Sequence, residues 1–280
     1  LRRVWDDVAE RNMYITGGIG SSVKNEGFTE DYDLPNREAY CETCASVGLI
    51  MWAARMNRLT QDVKYVDVLE RNAALAGVQL GGQRFFYVNP LESDGGHHRQ
   101  EWYGTACCPS NISRFLPSLG NYIYGLDDRN IYVNLFIGNH TVVDIDGVAT
   151  ELSISGGYPF EGDVMIKVRP HSPVSRNLRL RIPEWCEKYN VKVNGKDSGR
   201  CAGSGYLTIP MSGGGVEVAL HLDMPVKVVA ADPRVKENLD KLAVTRGPVV
   251  YCMEECDNMS GYDKACIGKN QKFSVSRGTG

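Results

Sequence analysis

The apolar residues of this chain change period part-way along it, and few folds accommodate that change. Up to about residue 126 they recur at spacings of three and four; from about residue 130 they alternate. A helix repeats every 3.6 residues and a strand every two, so the pattern predicts a helical part followed by a strand part. "EAYCETCASVGLIMWAARMNRL" places Leu49, Ile50, Trp52, Ala53 and Met56 on one helical face. "VKYVDVLERNAALAGVQL" repeats the pattern through Val63, Val66, Leu69, Ala73 and Leu75. "SNISRFLPSLGNYIYGL" predicts a further helix, bent at Pro117, and the opening "LRRVWDDVAERN" reads as the middle of another. Gly-rich stretches, "ITGGIGSS" and "ESDGGHHRQ", predict loops among them. Beyond "DDRN" (127–130), short segments such as "NIYVNLFIG", "VMIKVRP", "YNVKVNG" and "VEVALHL" alternate between turn residues, Asn194-Gly195 among them. The pattern predicts a helical domain over 1–126 and an antiparallel β-sandwich or barrel region of one or two modules over 127–280.

Composition narrows the class. Apolar residues make up 42% of the 280 and charged residues 23%, ordinary for a soluble globular protein. A net charge of -3 gives no reason to expect nucleic acid or an anionic membrane as partner. No apolar run approaches the roughly 20 residues of a membrane-spanning helix. The start carries no initiator Met and no apolar signal segment, so the chain is expected to be an N-terminally truncated piece of a longer protein. Nine cysteines is an odd number, so at least one thiol stays unpaired within the chain. That points to a reducing, cytoplasmic compartment or to a metal-protected cluster.

Four of those cysteines form two pairs, "CETC" (Cys41, Cys44) and "ACCP" (Cys107, Cys108). Neighbouring side chains on a helix diverge by about 100°, so adjacent thiols meet at one point only on irregular backbone, which Pro109 favours. One reading is a four-cysteine zinc site, although zinc ligands are normally spaced apart in sequence. A second takes Glu42 with Cys44, Cys107 and Cys108. On a regular helix residues two apart point about 200° apart, so this set needs a distorted segment at 42–44. A third is four buried apolar thiols without metal. The spacing leaves all three open. Glu26, among Glu30, Asp31 and Asp33, reads by default as a solvated loop carboxylate. Tyr87 and Asn89 in "FFYVNP" suit either loop packing or contact with a sugar. His97 and His98 are adjacent loop histidines, more often solvated than metal-bound.

"YITGGIGS", "EGFTEDYDLPN", "AYCETCASVGLIMWAARM", "RFFYVNPLES" and "WYGTACCPSNISRFLPSLGNYIY" together resemble glycoside hydrolase family 127, whose characterised members include β-L-arabinofuranosidases. "AVTRGPVVYCMEECDN" resembles the sandwich region of the same family. The resemblance implies the C-terminal portion of an (α/α)6 barrel followed by β-sandwich modules. It implies zinc held by Glu42, Cys44, Cys107 and Cys108, with Cys107 as nucleophile and Glu26 as general acid/base. The implied substrate is an L-arabinofuranoside of the plant-glycan type, with Tyr87 and Asn89 as candidate sugar contacts. Many relatives carry Cys where this chain has Thr105. The helices present are too few for a whole barrel, and the family's substrate-binding histidines lie upstream of residue 1, so the chain alone is expected to be inactive. A non-catalytic, zinc-stabilised carbohydrate-binding fragment is the competing function.

Overall fold

The computed structural model describes residues 1–76, 84–255, 258, 264–268 and 271–276. Helices come first: α1 (Arg2–Arg11), α2 (Thr43–Thr60), α3 (Val63–Ala76) and α4 (Cys107–Ser118). Their buried residues follow the expected spacing. Trp5 and Val8 of α1 are buried three residues apart, and α2 buries Leu49, Ile50, Ala53 and Met56. Tyr65, Val66 and Leu69 of α3 join the same core. Trp5 fastens the three helices, its ring edge-to-face with Trp52 at 5.0 Å and with Tyr65 at 4.8 Å. The reading of a helix through residue 80 extends past Ala76 onto residues outside those described.

Proline falls where a helix tolerates it. Pro109 lies in the first turn of α4, where its missing N–H had no partner to lose. It therefore opens this helix instead of breaking it. Pro117 lies in the last turn, and the chain tightens into a 3₁₀ turn over Leu119–Tyr122.

The strands are β1 (Tyr124–Leu126), β2 (Asn130–Val133), β3 (Asn139–Ile145), β4 (Val148–Gly156), β5 (Asp163–Pro170), β6 (Val174–Ile182) and β7 (Lys188–Val193). They continue with β8 (Lys196–Ala202), β9 (Gly205–Gly213), β10 (Val216–Leu222), β11 (Val226–Ala230), β12 (Leu242–Arg246) and β13 (Val249–Tyr251). Three sheets result, ordered β1-β2-β6-β9, β3-β4-β5-β10-β7-β8 and β11-β12-β13. "DDRN" is the turn between β1 and β2, closed by Asp127, which accepts hydrogen bonds from the Arg129 and Asn130 amides. The Asn194-Gly195 turn joins β7 to β8 with both residues at positive φ, 48° and 78°, as a two-residue hairpin turn requires. One departure from the expected antiparallel pattern is that β2 and β6 run parallel. The chain leaves β2, builds β3 to β5 in the other sheet and returns, and only such a long excursion permits a parallel neighbour.

One continuous apolar core runs from α1, α2 and α3 through the first two sheets, including Phe115, Phe136, Leu180, Ile166 and Val218. Arg181 of β6 crosses it. Fully buried, it meets Asp67 at 2.5 Å and Glu70 at 2.6 Å, both on α3. Tyr206 of β9 donates to Asn134 Oδ1 at 2.5 Å and accepts from Asn57 of α2 at 3.2 Å. These polar contacts set the helices against the sheet that presents Arg181. No helix among the described residues is long and apolar enough to cross a membrane.

Candidate functional site

The two cysteine pairs stand at two helix starts. α2 begins at Thr43, so Glu42 is its N-cap residue, with extended backbone (φ -61°, ψ 136°). Cys41 before it is left-handed, φ 38°. This is the distorted segment that a Glu42–Cys44 pair requires: Glu42 is off the helix and Cys44 is in its first turn. Cys107 and Cys108 are the first two residues of α4. Both helices therefore bring their positive dipole ends toward one place.

Four donor atoms gather there. One atom each from Glu42, Cys44, Cys107 and Cys108 lies within 4.8 Å of all the others. The Cys44 and Cys108 sulfurs are 3.3 Å apart, and those of Cys107 and Cys108 3.9 Å apart. Glu42 Oε1 is 3.3 Å from the Cys107 sulfur and 3.4 Å from that of Cys108. A tetrahedral zinc with sulfur at about 2.3 Å and oxygen at about 2.0 Å separates its ligands by roughly 3.5 to 3.8 Å. The set fits such an ion in spacing and in chemistry. Cys41 stands outside it, fully buried beside Tyr14 and Ala39, and burial pushes its thiol up to about 12. The four-cysteine arrangement is thus not the one the backbone assembles.

Burial acts against ionisation in the cluster too. It pushes Cys44 up to about 11, partly offset by a hydrogen bond from Asn111, and raises Cys108, on which the Cys44 side chain acts in the same direction. A cation among the sulfurs reverses that tendency, because a coordinated thiol loses its proton outright.

The surrounding groups hold the ligands in place. Asn111 Nδ2 donates to the Cys44 sulfur at 3.0 Å, and the Arg114 guanidinium donates to Asn111 Oδ1. Sequence reading missed Asn111 and Arg114. The available signal was spacing: Asn111 stands four residues after Cys107, on the same helical face. The segment 85–91 lies along the start of α2. The Thr43 amide donates to the Tyr87 carbonyl at 2.9 Å and the Thr43 hydroxyl to the Phe86 carbonyl at 3.1 Å. This places the Tyr87 hydroxyl 2.9 Å from the Cys107 sulfur. The Tyr87 phenol is pushed up first by that bond and then by burial, so it keeps its proton. Asn89 acts on the backbone: its Nδ2 donates to the Cys41 carbonyl at 2.8 Å and to the Thr43 hydroxyl at 3.1 Å. His97 stacks on Phe86 and its Nε2 lies 3.0 Å from the Val88 carbonyl, so it belongs to the loop packing.

Glu26 stands apart from the four donors, exposed at the tip of a turn closed by the Ser22–Gly27 bridge, with φ 51°. Tyr40 connects the two. Burial pushes its phenol up, followed by the charge of Glu42 and a hydrogen bond to Glu26. Tyr40, which sequence reading also missed, therefore lies between the Glu26 carboxylate and the sulfur cluster.

Three family models cover the chain in order. They describe the β-L-arabinofuranosidase GH127 catalytic domain over residues 1–121, the GH127 middle domain over 130–224 and the family's C-terminal domain over 226–277. The chain belongs to glycoside hydrolase family 127. A relative from Bifidobacterium longum subsp. longum, a non-reducing end β-L-arabinofuranosidase, is 40% identical over 278 residues. That alignment covers 92% of this chain and 42% of the relative, so the chain spans less than half the length of the curated protein it matches. A GH127 β-L-arabinofuranosidase crystal structure from Geobacillus stearothermophilus T6 superposes with a TM-score of 0.82 at 42% identity. The match covers 91% of this chain and 43% of that one. A second solved GH127 β-arabinofuranosidase gives 0.84 at 39% identity, over 91% and 43% of the two chains.

Proposed function

We propose that this chain carries the metal centre and the reacting groups of a retaining glycoside hydrolase acting on β-L-arabinofuranosides of plant-glycan type. The observation that carries the reading is the convergence of Glu42, Cys44, Cys107 and Cys108 within 4.8 Å at the starts of α2 and α4. We assign the helical region to part of the family's (α/α)6 barrel and the region from about 127 onward to β-sandwich modules. A zinc ion held by the four donors would supply the charge that keeps the sulfurs deprotonated.

The chain's own residues do the rest. The Cys107 sulfur attacks the anomeric carbon, a carbon–sulfur bond forms, and the bond to the leaving oxygen breaks. Glu26 gives its proton to that oxygen. A water then loses a proton to Glu26 and attacks the same carbon from the opposite side, and the sulfur departs with its electron pair. Two inversions give net retention. Tyr87, hydrogen-bonded to the Cys107 sulfur, holds the sulfur in line and stabilises it as it leaves; its ring also offers a surface to the sugar. Asn89 fixes the backbone on which Glu42 sits. The close Cys44 and Cys108 sulfurs suit a reducing compartment, which keeps them from pairing.

A mechanism-based arabinofuranosyl inhibitor tests the assignment. Mass spectrometry is expected to place the sugar on Cys107. A sugar found on Glu42 or another carboxylate overturns the thiolate reading, and failure of protein that also carries the rest of the barrel to turn over any arabinofuranoside favours a zinc-stabilised carbohydrate-binding role.

A further inference from the structure

The segment between β11 and β12 crosses back to the candidate site. Val235, in its middle, is buried, and three side chains near it, one before and two after, reach the loops of the helical region. The Arg234 guanidinium lies 3.8 Å above the Tyr32 ring, held in orientation by a two-pronged pair with Asp232 at 2.7 and 2.9 Å. Asn36 Nδ2 donates to Asn238 Oδ1 at 2.8 Å. Lys241 Nζ donates to Glu92 Oε1 at 2.7 Å.

Each of those partners belongs to the loop system around the site. Tyr32 and Asn36 lie on the loop that carries Glu26. Glu92 follows the Tyr87–Asn89 segment, and its amide and that of Leu91 both donate to the Asn36 carbonyl. On its other side the Glu26 loop is held by α1, through the Arg11–Asp31 pair at 2.9 Å and the Tyr32 amide donating to the Arg11 carbonyl. At its base the Gly20 carbonyl accepts from the Cys41 amide, next to Glu42. The loop is clamped between α1 and a strap from the C-terminal region, while Glu26 projects exposed from its tip. Beyond its contact with Tyr40, a carboxylate on an exposed turn has little packing to fix it, so its position depends on these anchors as well.

We propose that Arg234, Asn238 and Lys241 are positioning residues for the Glu26 loop, so that the C-terminal region sets the placement of the acid/base. The proposal rests on the assignment of Glu26 above, and the test keeps the two separable. Hydrogen exchange is compared between the unaltered chain and an Asn238→Ala/Lys241→Ala double variant. Exchange over residues 22–37 is expected to rise about tenfold, the size of effect that losing one or two such bonds produces, with the first turns of α2 and α4 unchanged. Lys241→Arg, which keeps the cation opposite Glu92, is expected to restore most of the protection lost in Lys241→Ala. Unchanged exchange over 22–37, or a rise spread equally through α2 and α4, overturns the strap. The second readout uses protein that turns over a 4-nitrophenyl β-L-arabinofuranoside. The double variant is expected to lose about tenfold more rate on a methyl glycoside, whose leaving group needs protonation, than on the nitrophenyl one. Equal losses on both, where Glu26→Gln does separate them, overturn positioning for catalysis. Equal losses in Glu26→Gln itself instead remove the assignment of Glu26, and exchange alone then decides the strap.

Discussion

The Tyr87 hydroxyl and the Cys107 sulfur lie 2.9 Å apart, although Tyr87 is on an irregular segment and Cys107 opens a helix. The contact exists because the Tyr87 carbonyl is fixed by the Thr43 amide, one residue from Glu42. Packing against Tyr103, edge-to-face at 5.2 Å, sets the ring. Tyr87→Phe keeps that packing and removes only the hydroxyl. A hydrogen bond to a charged group contributes about 1.5–3 kcal/mol, so turnover is expected to fall by about ten- to a hundredfold. Metal content, measured by atomic absorption, is expected to stay at the unaltered value; a proportional loss of metal would make Tyr87 a structural support only.

The metal prediction separates cysteines that are close in sequence. X-ray absorption on zinc-loaded protein is expected to show about three sulfurs near 2.3 Å and one oxygen near 2.0–2.2 Å. Cys44→Ser is expected to lower zinc content sharply and Cys41→Ser to leave it unchanged, since the Cys41 thiol is buried outside the cluster. A shell of four sulfurs would bring Cys41 back as a ligand and rule out Glu42.

Much of the helical region could be read from apolar spacing, because Leu49, Ile50, Ala53 and Met56 face one core and nothing competes with that signal. The site was harder to read. Whether Glu42 and Cys44 can share an ion depends on which residue starts α2, and the "CETC" stretch continues a helical pattern without an evident cap. The left-handed Cys41 that decides it leaves no mark in composition. In the β-rich part, β3 and β4 escaped notice. Asn139, His140, Thr141 and Asp144 make β3 look polar, and its outward positions are exposed while Ile145 is buried. The parallel β2–β6 pair is a property of the path between sheets, which no local pattern encodes. Of the cysteines in the β-rich part, Cys252 is exposed and Cys256 lies outside the described residues.

The buried Arg181 supplies a stability prediction. It faces two carboxylates, so the cluster holds one negative charge in excess. Burial pushes Asp67 up to about 6, against the opposing pull of Arg181. The unfolded chain gives up that proton near pH 4, while the folded protein keeps it to about 6. Stability from this group therefore falls as the pH rises from about 4 to about 6 and changes little above. Asp67→Asn is expected to flatten that part of the denaturation profile. Arg181→Met takes the cation away from both carboxylates, leaving Asp67 with the Glu184 amide and Glu70 with the Tyr158 hydroxyl, and is expected to cost about 3–5 kcal/mol at neutral pH, read from urea midpoints. An unaltered midpoint would mean that water reaches the cluster.

In protein that also carries the rest of the barrel, Cys107 and Glu26 are expected to fail in different ways when replaced. Cys107→Ser removes the attacking sulfur, so no covalent sugar forms and turnover is lost even with an excellent leaving group. Glu26→Gln leaves the sulfur intact. An activated aryl leaving group departs without a proton, so the first step survives, but the water that should release the sugar has no base. A burst of aryl product followed by a slow steady state is expected, with the sugar retained on the protein. Azide, which attacks without giving up a proton, is expected to speed the second phase in Glu26→Gln and to do nothing for Cys107→Ser. If Cys107 serves only to hold metal, its serine variant loses rate in step with zinc, and excess zinc restores both. A Glu26→Gln protein that shows no burst and no response to azide would move the acid/base role to another residue near Tyr40.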